Sequence, residues 1–368
     1  AVKHEKWRKA MDCEINSIEK NQTWELMDLP VGAKTIGVKW IFKTKLNEKG
    51  EVDKYKARLV AKGYSQQHRI GFSEVFAPVA RMDTVRMIVA LATCRGWDIF
   101  QLDVKSAKGF VKKGKEHKVY KLHKALYGLK QAPRAWFSRI ESHFIKEGDD
   151  KDMMIEFKKS MMQAFDMTDL GKMRFFLGIE ILQKSEGIFV CQKKYATDIL
   201  KKFTMSESKL VNSPIVPGFK INRDVNGTAV DDTYFKQIVG SLMYLTATRP
   251  DIMFSVSLIS RYMSKPIELH LQAAKRILRY LKGTVSYGIF NKKGGEEELL
   301  AFTDSDFAGD EEDSKSTSGY VFLLSSGAVS WMSKKQPIVT LSTTEAEFAA
   351  AASACQAVWM RRVLRNLS

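Results

Sequence analysis

The chain has no two cysteines at metal-binding or redox spacing. Cys13, Cys94, Cys191 and Cys355 lie far apart, so neither a zinc ribbon nor a dithiol motif is indicated, and the four read as reduced, mostly buried thiols. A charged start followed by an apolar run and a small-residue cleavage site is also missing, and no stretch is long and apolar enough to span a bilayer. The expectation is a cytoplasmic or nuclear protein with no membrane partner. There is no internal repeat and no low-complexity tract, which excludes a repeat architecture. Acidic residues are the minority: 59 Lys and Arg stand against 42 Asp and Glu, a formal net charge of +17. The cations are spread along the whole length, which suggests broad basic surfaces suited to a polyanion, nucleic acid first; a soluble protein that is merely basic is the plain alternative.

What is present is enough apolar material for more than one core. With 368 residues and 45% hydrophobic content, two to four modules are expected. The chain starts inside an amphipathic pattern (Trp7, Met11, Ile15, Ile18) and stops at Ser368 inside a helical one, so it reads as part of something longer.

Alternating residues from Val38 to Leu46 and from Val52 to Lys62 flank Asn47-Glu48-Lys49-Gly50, which predicts a β-hairpin. Period two sets Lys54, Lys56 and Arg58 on one face and Tyr55, Ala57 and Leu59 on the other. That basic face is either a solvated edge or a phosphate-binding surface. A helix over Thr84–Thr93 precedes a strand over Asp98–Lys105, where Asp103 falls on the side opposite Leu102. Pro133 suits the first turn of a helix running to about Ile145, and another helix spans Lys151–Phe165. Strands Phe175–Gln183 and Gly187–Gln192 form a hairpin, Lys193–Phe203 is helical, and 206–233 reads as a polar linker. Helices follow at Tyr234–Ala247, at Pro250–Met263 and beyond Pro266. Strands are expected at Leu299–Thr303, Gly319–Leu324 and Ala328–Ser333, then one helix over Thr343–Leu367.

Ten motifs stand in a fixed order. They include KARLVAKG (56–63), FAPVARMDTVR (76–86), QLDVKSA (101–107), LYGLKQAPRAW (126–136), FFLGIEI (175–181), YLTATRPDI (244–252), TDSDFAGD (303–310) and LSTTEAEF (341–348). Together they resemble the Pol polyprotein of copia-type LTR retrotransposons over nearly the whole chain. The resemblance implies an α+β chain: a right-hand polymerase (fingers, palm, thumb) with an incomplete palm, a connection region, and a truncated ribonuclease H-like α/β domain. The implied division is 1–146 fingers and partial palm, 147–205 palm remnant and thumb, 206–295 linker and helical connection, 296–368 ribonuclease H-like. Its implied ligands are an RNA and DNA template-primer or RNA:DNA hybrid, deoxynucleoside triphosphates, and Mg²⁺. By position, Lys56 and Arg58 fall on the fingers hairpin that grips the triphosphate, and Gln131 lies in the segment approaching nucleotide and template. Asp103 matches the first metal-binding aspartate of the palm. Asp304 and Glu345 match the first two metal-binding carboxylates of ribonuclease H.

The resemblance also shows what is missing. Paired divalent ions need several carboxylates, and one aspartate cannot hold them. The family supplies the partners of Asp103 on a Tyr-Val-Asp-Asp hairpin between the LYGLKQAPRAW helix and the DLG segment, and none occurs here. Asp149-Asp150 lacks the preceding apolar strand and reads as loop or N-cap, as does Asp231-Asp232. A second break follows Ala107. Loss of the hairpin should leave an unpaired edge beside the strand of Asp103. Glu345 is also the fourth residue of a Ser342-x-x-Glu345 capping box, so both a capping and a metal-ligand origin stand. Asp306, Asp310 and Asp313 are expected in a solvated turn, and the remaining ribonuclease carboxylates past Ser368. The expectation is a catalytically defective fragment. A competent enzyme whose gene model omits segments, and a non-catalytic basic nucleic-acid-binding protein, are the alternatives.

Overall fold

A computed structural model describes residues 4–20, 23–46, 51–68, 72, 74–77, 79–104, 118–147, 153–165, 167–218, 220–223 and 227–367. In chain order these form α1 (Glu5–Lys20), β1 (Trp24–Asp28), β2 (Val38–Leu46), β3 (Val52–Ala61), α2 (Met82–Cys94), β4 (Phe100–Val104), β5 (Lys118–Leu122), α3 (Ala132–Glu147) and α4 (Met153–Ala164). Then come β6 (Met167–Lys172), β7 (Phe175–Phe176), β8 (Ile179–Lys184), β9 (Gly187–Cys191), α5 (Lys193–Lys202), α6 (Asp232–Leu245), α7 (Met253–Ser260) and α8 (Glu268–Gly283). The chain closes with β10 (Gly288–Lys292), β11 (Leu299–Ser305), β12 (Thr317–Leu324), β13 (Gly327–Lys335), α9 (Thr343–Ser353) and α10 (Gln356–Leu367). The architecture is mixed α and β. It divides into two compact units, one of residues 1–79 and 101–171, the other of 80–100 and 172–368. The Asp149-Asp150 pair and most of the lysine-rich stretch after Val104 lie outside the described residues.

In the first unit, α1 turns Met11 and Ile18 inward because they recur at helical spacing. Its Trp7 meets Phe42 and Tyr55 edge-on at 5.1 and 4.7 Å, covering the apolar face of the β2–β3 hairpin. The buried Glu14 carboxylate accepts the Leu59 N–H at 3.0 Å, and Ala61 N–H donates to Tyr127 O at 2.8 Å. Two backbone groups on the free edge of β3 are thereby satisfied, as buried backbone requires. A second small core joins Leu102 of β4 to Met161, Phe165 and Met167. β4 pairs with β6 in a two-stranded sheet, so the Asp169-Leu170-Gly171 segment lies within a strand.

In the second unit, α5 to α8 bury Phe235, Leu242, Ile259 and Leu278 around one core. Asp231 caps α6, its side chain accepting from Thr233 N–H at 2.8 Å, in line with the capping expectation. The polar segment after α5 has no helix or strand among its described residues, yet it is tied down. Arg279 donates to Lys209 O at 2.7 Å, Lys282 to Ser208 O at 2.9 Å, and Ile221 enters the core. Arg249 is 2% exposed; it grips Asp251 bidentately at 2.8 and 2.7 Å and donates to Thr284 O at 2.9 Å.

β7 to β10 form a four-stranded antiparallel sheet in the order β10-β9-β8-β7. The single strand expected over Phe175–Gln183 is broken by a turn at Leu177 and Gly178, both with positive φ, and β7 folds back on β8. β11 to β13 form a three-stranded meander. Phe322, Leu324 and Val329 bury one of its faces against Met87, Ala90 and Leu91 of α2 and Met360 and Leu364 of α10. The helix expected over Thr343–Leu367 is two, because the chain leaves α9 through bonds to the third residue back, Ala354 N–H to Ala351 O at 3.0 Å and Cys355 N–H to Ala352 O at 3.3 Å. The expectation of mostly buried thiols holds for Cys191 alone; Cys94 is half-buried and Cys13 and Cys355 are exposed, and none of the four is in a disulfide.

Candidate functional site

The hairpin register defines a basic face. Lys43 sits directly opposite Lys56 and Ile41 opposite Arg58, so the facing strand adds Lys43 to the expected Lys54, Lys56 and Arg58. Ala57 and Leu59 are buried on the other side, which fixes the face by alternation. Period two applied to both strands would have found Lys43.

The loop 126–131 is pressed against the end of β3. Gly128 has φ +96°, and a Cβ there would come within 2.4 Å of Ala61 O, while a Cβ on Gly63 would lie 2.0 Å from Gly128 O. Only glycines permit that approach of two backbones. Tyr127 thereby brings its ring 5.4 Å from the Arg58 guanidinium. Gln66 Oε1 accepts Lys130 N–H at 2.9 Å and its Nε2 donates to Gln131 Oε1 at 3.0 Å. Arg58 and Gln131 are thus organised by one loop, with Lys56 one step along the same strand face.

Asp103 lies on a different sheet. Leu102 points into the core and Asp103 is exposed on the opposite side of β4, as alternation predicts. Among the described residues, β6 is the one strand paired with β4, and no three His, Cys, Asp or Glu side chains are placed to hold a metal ion. The donors described do not fit a Mg²⁺ site, which takes octahedral oxygen ligation from several groups.

In the second unit Asp304 pairs with Gly319 near the end of β11. It lines an open groove of about 1050 Å³, counting the solvent it opens to, with Phe254, Phe302, Val321, Trp331 and Met332. Glu345 serves the start of α9: Ser342 Oγ accepts Glu345 N–H at 3.1 Å, and Glu345 Oε2 accepts Leu341 N–H at 2.7 Å. The carboxylate that reaches the strand is Glu347, whose Oε1 accepts Ser305 N–H at 3.3 Å, next to Asp304. Glu347 is not singled out by the sequence, where no local pattern sets it apart from Glu345.

The solvated turn expected for Asp306, Asp310 and Asp313 is found in part: Asp306 and Asp313 are exposed, the latter in a turn over 311–313, whereas Asp310 is buried. Asp310 is 8% exposed and binds Lys335 at 2.6 Å and Arg261 at 3.2 Å; Asp313 binds Lys335 at 2.7 Å, and Asp306 accepts Thr317 N–H at 2.7 Å. Burial works to raise the Asp310 carboxyl, but its bonds from Lys335 and the Glu312 N–H outweigh it and hold it below the ordinary range. The cations arrive from α7 and β13, and local sequence could not show them. These carboxylates clip the loop to the sheet.

The family described as reverse transcriptase (RNA-dependent DNA polymerase) matches residues 21–148 and 143–217. The chain is 37% identical to the retrovirus-related Pol polyprotein from transposon RE1 of Arabidopsis thaliana, over 100% of its own length and 28% of that protein. It is 36% identical to the corresponding polyprotein from transposon TNT 1-94 of Nicotiana tabacum, over 98% of this chain and 31% of that one. An uncharacterised mitochondrial protein of Arabidopsis thaliana is 38% identical over 54% of this chain and 83% of its own length. The chain therefore spans less than a third of the polyproteins it matches. The RE1 alignment runs over 417 positions although the chain has 368 residues, so gaps in this chain take up the difference. No solved structure matches it significantly.

Proposed function

The chain belongs to the reverse transcriptase family, as a fragment of a copia-type retrotransposon Pol polyprotein, and from that premise we propose a nucleic-acid-binding remnant that has lost polymerase chemistry. In this reading residues 1–146 are fingers and part of the palm, 147–205 palm remnant and thumb, 206–295 linker and connection, and 296–368 ribonuclease H-like. The face of Lys43, Lys54, Lys56 and Arg58, with Gln131 beside it, takes phosphates of a template-primer or a nucleoside triphosphate. Asp304 with Glu347 is the ribonuclease-type carboxylate pair, and Glu345 holds the helix that carries Glu347.

The observation that carries the reading is the isolation of Asp103. It is exposed, and among the described residues its strand has one partner and no carboxylate set converges on it. Nucleotidyl transfer activates a hydroxyl and stabilises a leaving oxygen with paired ions, and these would be Mg²⁺ held by several carboxylates. The division of the family match into two pieces meeting at 143–148 supports a gap at the place of the missing aspartates.

Primer extension tests the catalytic half. The purified chain with Mg²⁺, a primed template and labelled deoxynucleotides is expected to give no template-dependent product, and extension overturns the reading. Gel shifts at two ionic strengths test the binding half. Affinity should fall steeply as salt rises, because each neutralised phosphate releases counterions; salt-insensitive affinity removes its basis.

A further inference from the structure

The sheet β10-β9-β8 has one buried face and one open face. Ile181 and Val190 fill the buried side with Val89 of α2. On the open side alternation leaves Leu182, Phe189 and Phe290, and the register sets them directly across from one another: Leu182 opposite Phe189, and Phe189 opposite Phe290. Leu182 is 43% exposed and Phe290 41%, with Phe189 half-buried between them. The next row of the same face is Lys184, Gly187 and Lys292, again in register, with both lysines exposed.

The row on the other side is Glu180, Cys191 and Gly288. A Cβ on Gly288 would lie 2.9 Å from Phe189 Cζ, so the glycine provides the room that this ring occupies. Glu180 accepts Lys194 N–H at 2.7 Å, which engages its carboxylate with the start of α5. The face is therefore an aromatic row bordered by a pair of cations.

We propose that this face binds an unpaired nucleic-acid strand, with bases stacked on the Phe189 and Phe290 row and phosphates on Lys184 and Lys292. A rise of about 3.3 Å per residue puts the two rows roughly 7 Å apart, a distance a nucleotide can span between its base and its phosphate. Every base has a π-face, so stacking on an aromatic sheet is tolerant of sequence. Charge decides the partner. An apolar protein surface would strip water from two lysines and return nothing, whereas a strand brings a phosphate with each base. The surface lies in the other unit from the β2–β3 hairpin and does not depend on it.

The test uses the full chain and a labelled oligothymidylate carrying 4-thiothymidine, in about 0.3 M salt where phosphate contacts elsewhere are weakened. Photocrosslinks are expected on the peptides containing Phe189 and Phe290. Phe290→Ala should weaken single-strand binding about tenfold, the effect of losing one stacked base. Phe290→Tyr should retain it, and affinity for a blunt duplex should not change. Lys43→Glu with Lys54→Glu should reduce low-salt binding yet leave the Phe290 crosslink in place, so this surface and the hairpin fail separately. Equal affinity of Phe290→Ala and the unaltered chain, or crosslinks confined to other peptides, overturns the proposal. So does self-association that Phe290→Glu abolishes, which would make the face a contact between copies.

Discussion

His270 is fully buried in the first turn of α8, with Nδ1 accepting Ile267 N–H at 3.1 Å and Nε2 on Asn222 O at 2.9 Å. Its ring stacks on Tyr262 at 4.0 Å. Burial pushes the imidazole pKa below its ordinary value, and the bond to Asn222 O offsets only part of that. The unfolded chain thus binds the proton at higher pH than the folded one. The stabilising contribution is complete above the unfolded value near 6.5 and is lost as pH falls from there toward the folded value. The urea midpoint should drop between pH 7.5 and 5.5, and His270→Gln should flatten that slope; an unchanged slope would show that His270 does not control it. Arg249 argues similarly for structure over chemistry. Within the YLTATRPDI motif it looks like a functional cation, but its bonds go to Asp251 and Thr284. Arg249→Ala should cost about 2 kcal/mol in equilibrium unfolding, because the buried guanidinium's bonds to Thr284 are lost while the more exposed Asp251 can return to water.

At the level of elements, strong alternation and helical spacing were readable, and the hairpin, α1, α2 and the helical bundle lie where sequence put them. β6 and β10 were not readable. Met167–Lys172 contains Asp and Gly, and Gly288–Lys292 is five residues with Gly and Asn, so neither has the propensity of a strand. Pairing with β4 and β9 makes them strands. The site was legible in the same uneven way. Lys56, Arg58 and the outward Asp103 follow from period two, whereas the tie between Gln66 and Gln131 spans 65 residues and has no local sign. That tie depends on how closely the 126–131 loop approaches β3. Gly128→Ala puts a side chain at φ +96° and 2.4 Å from Ala61 O, and should lower stability by about 1–3 kcal/mol. Thermal melting checks the cost, and a variant as stable as the parent would mean that the loop yields freely.

Over the whole molecule, the chain passes between its two units at 79–80, 100–101 and 171–172. Residues 80–100 leave their sequence neighbours to fold with 172–368, a choice that no local pattern announces. Arg86 shows what holds them there: it donates to Val329 O at 2.8 Å and to Ala247 O at 2.9 Å, and lies 3.9 Å over the Trp331 ring. The apolar side of α2, with Met87, Ala90 and Leu91, is covered by strands that come far later in the chain. A ribosome must add roughly 230 residues after α2 before those strands emerge, on the order of ten to fifty seconds at ordinary elongation rates. For that interval the helix waits with its greasy side bare, which makes the nascent chain a natural client for chaperones that shield such surfaces during translation.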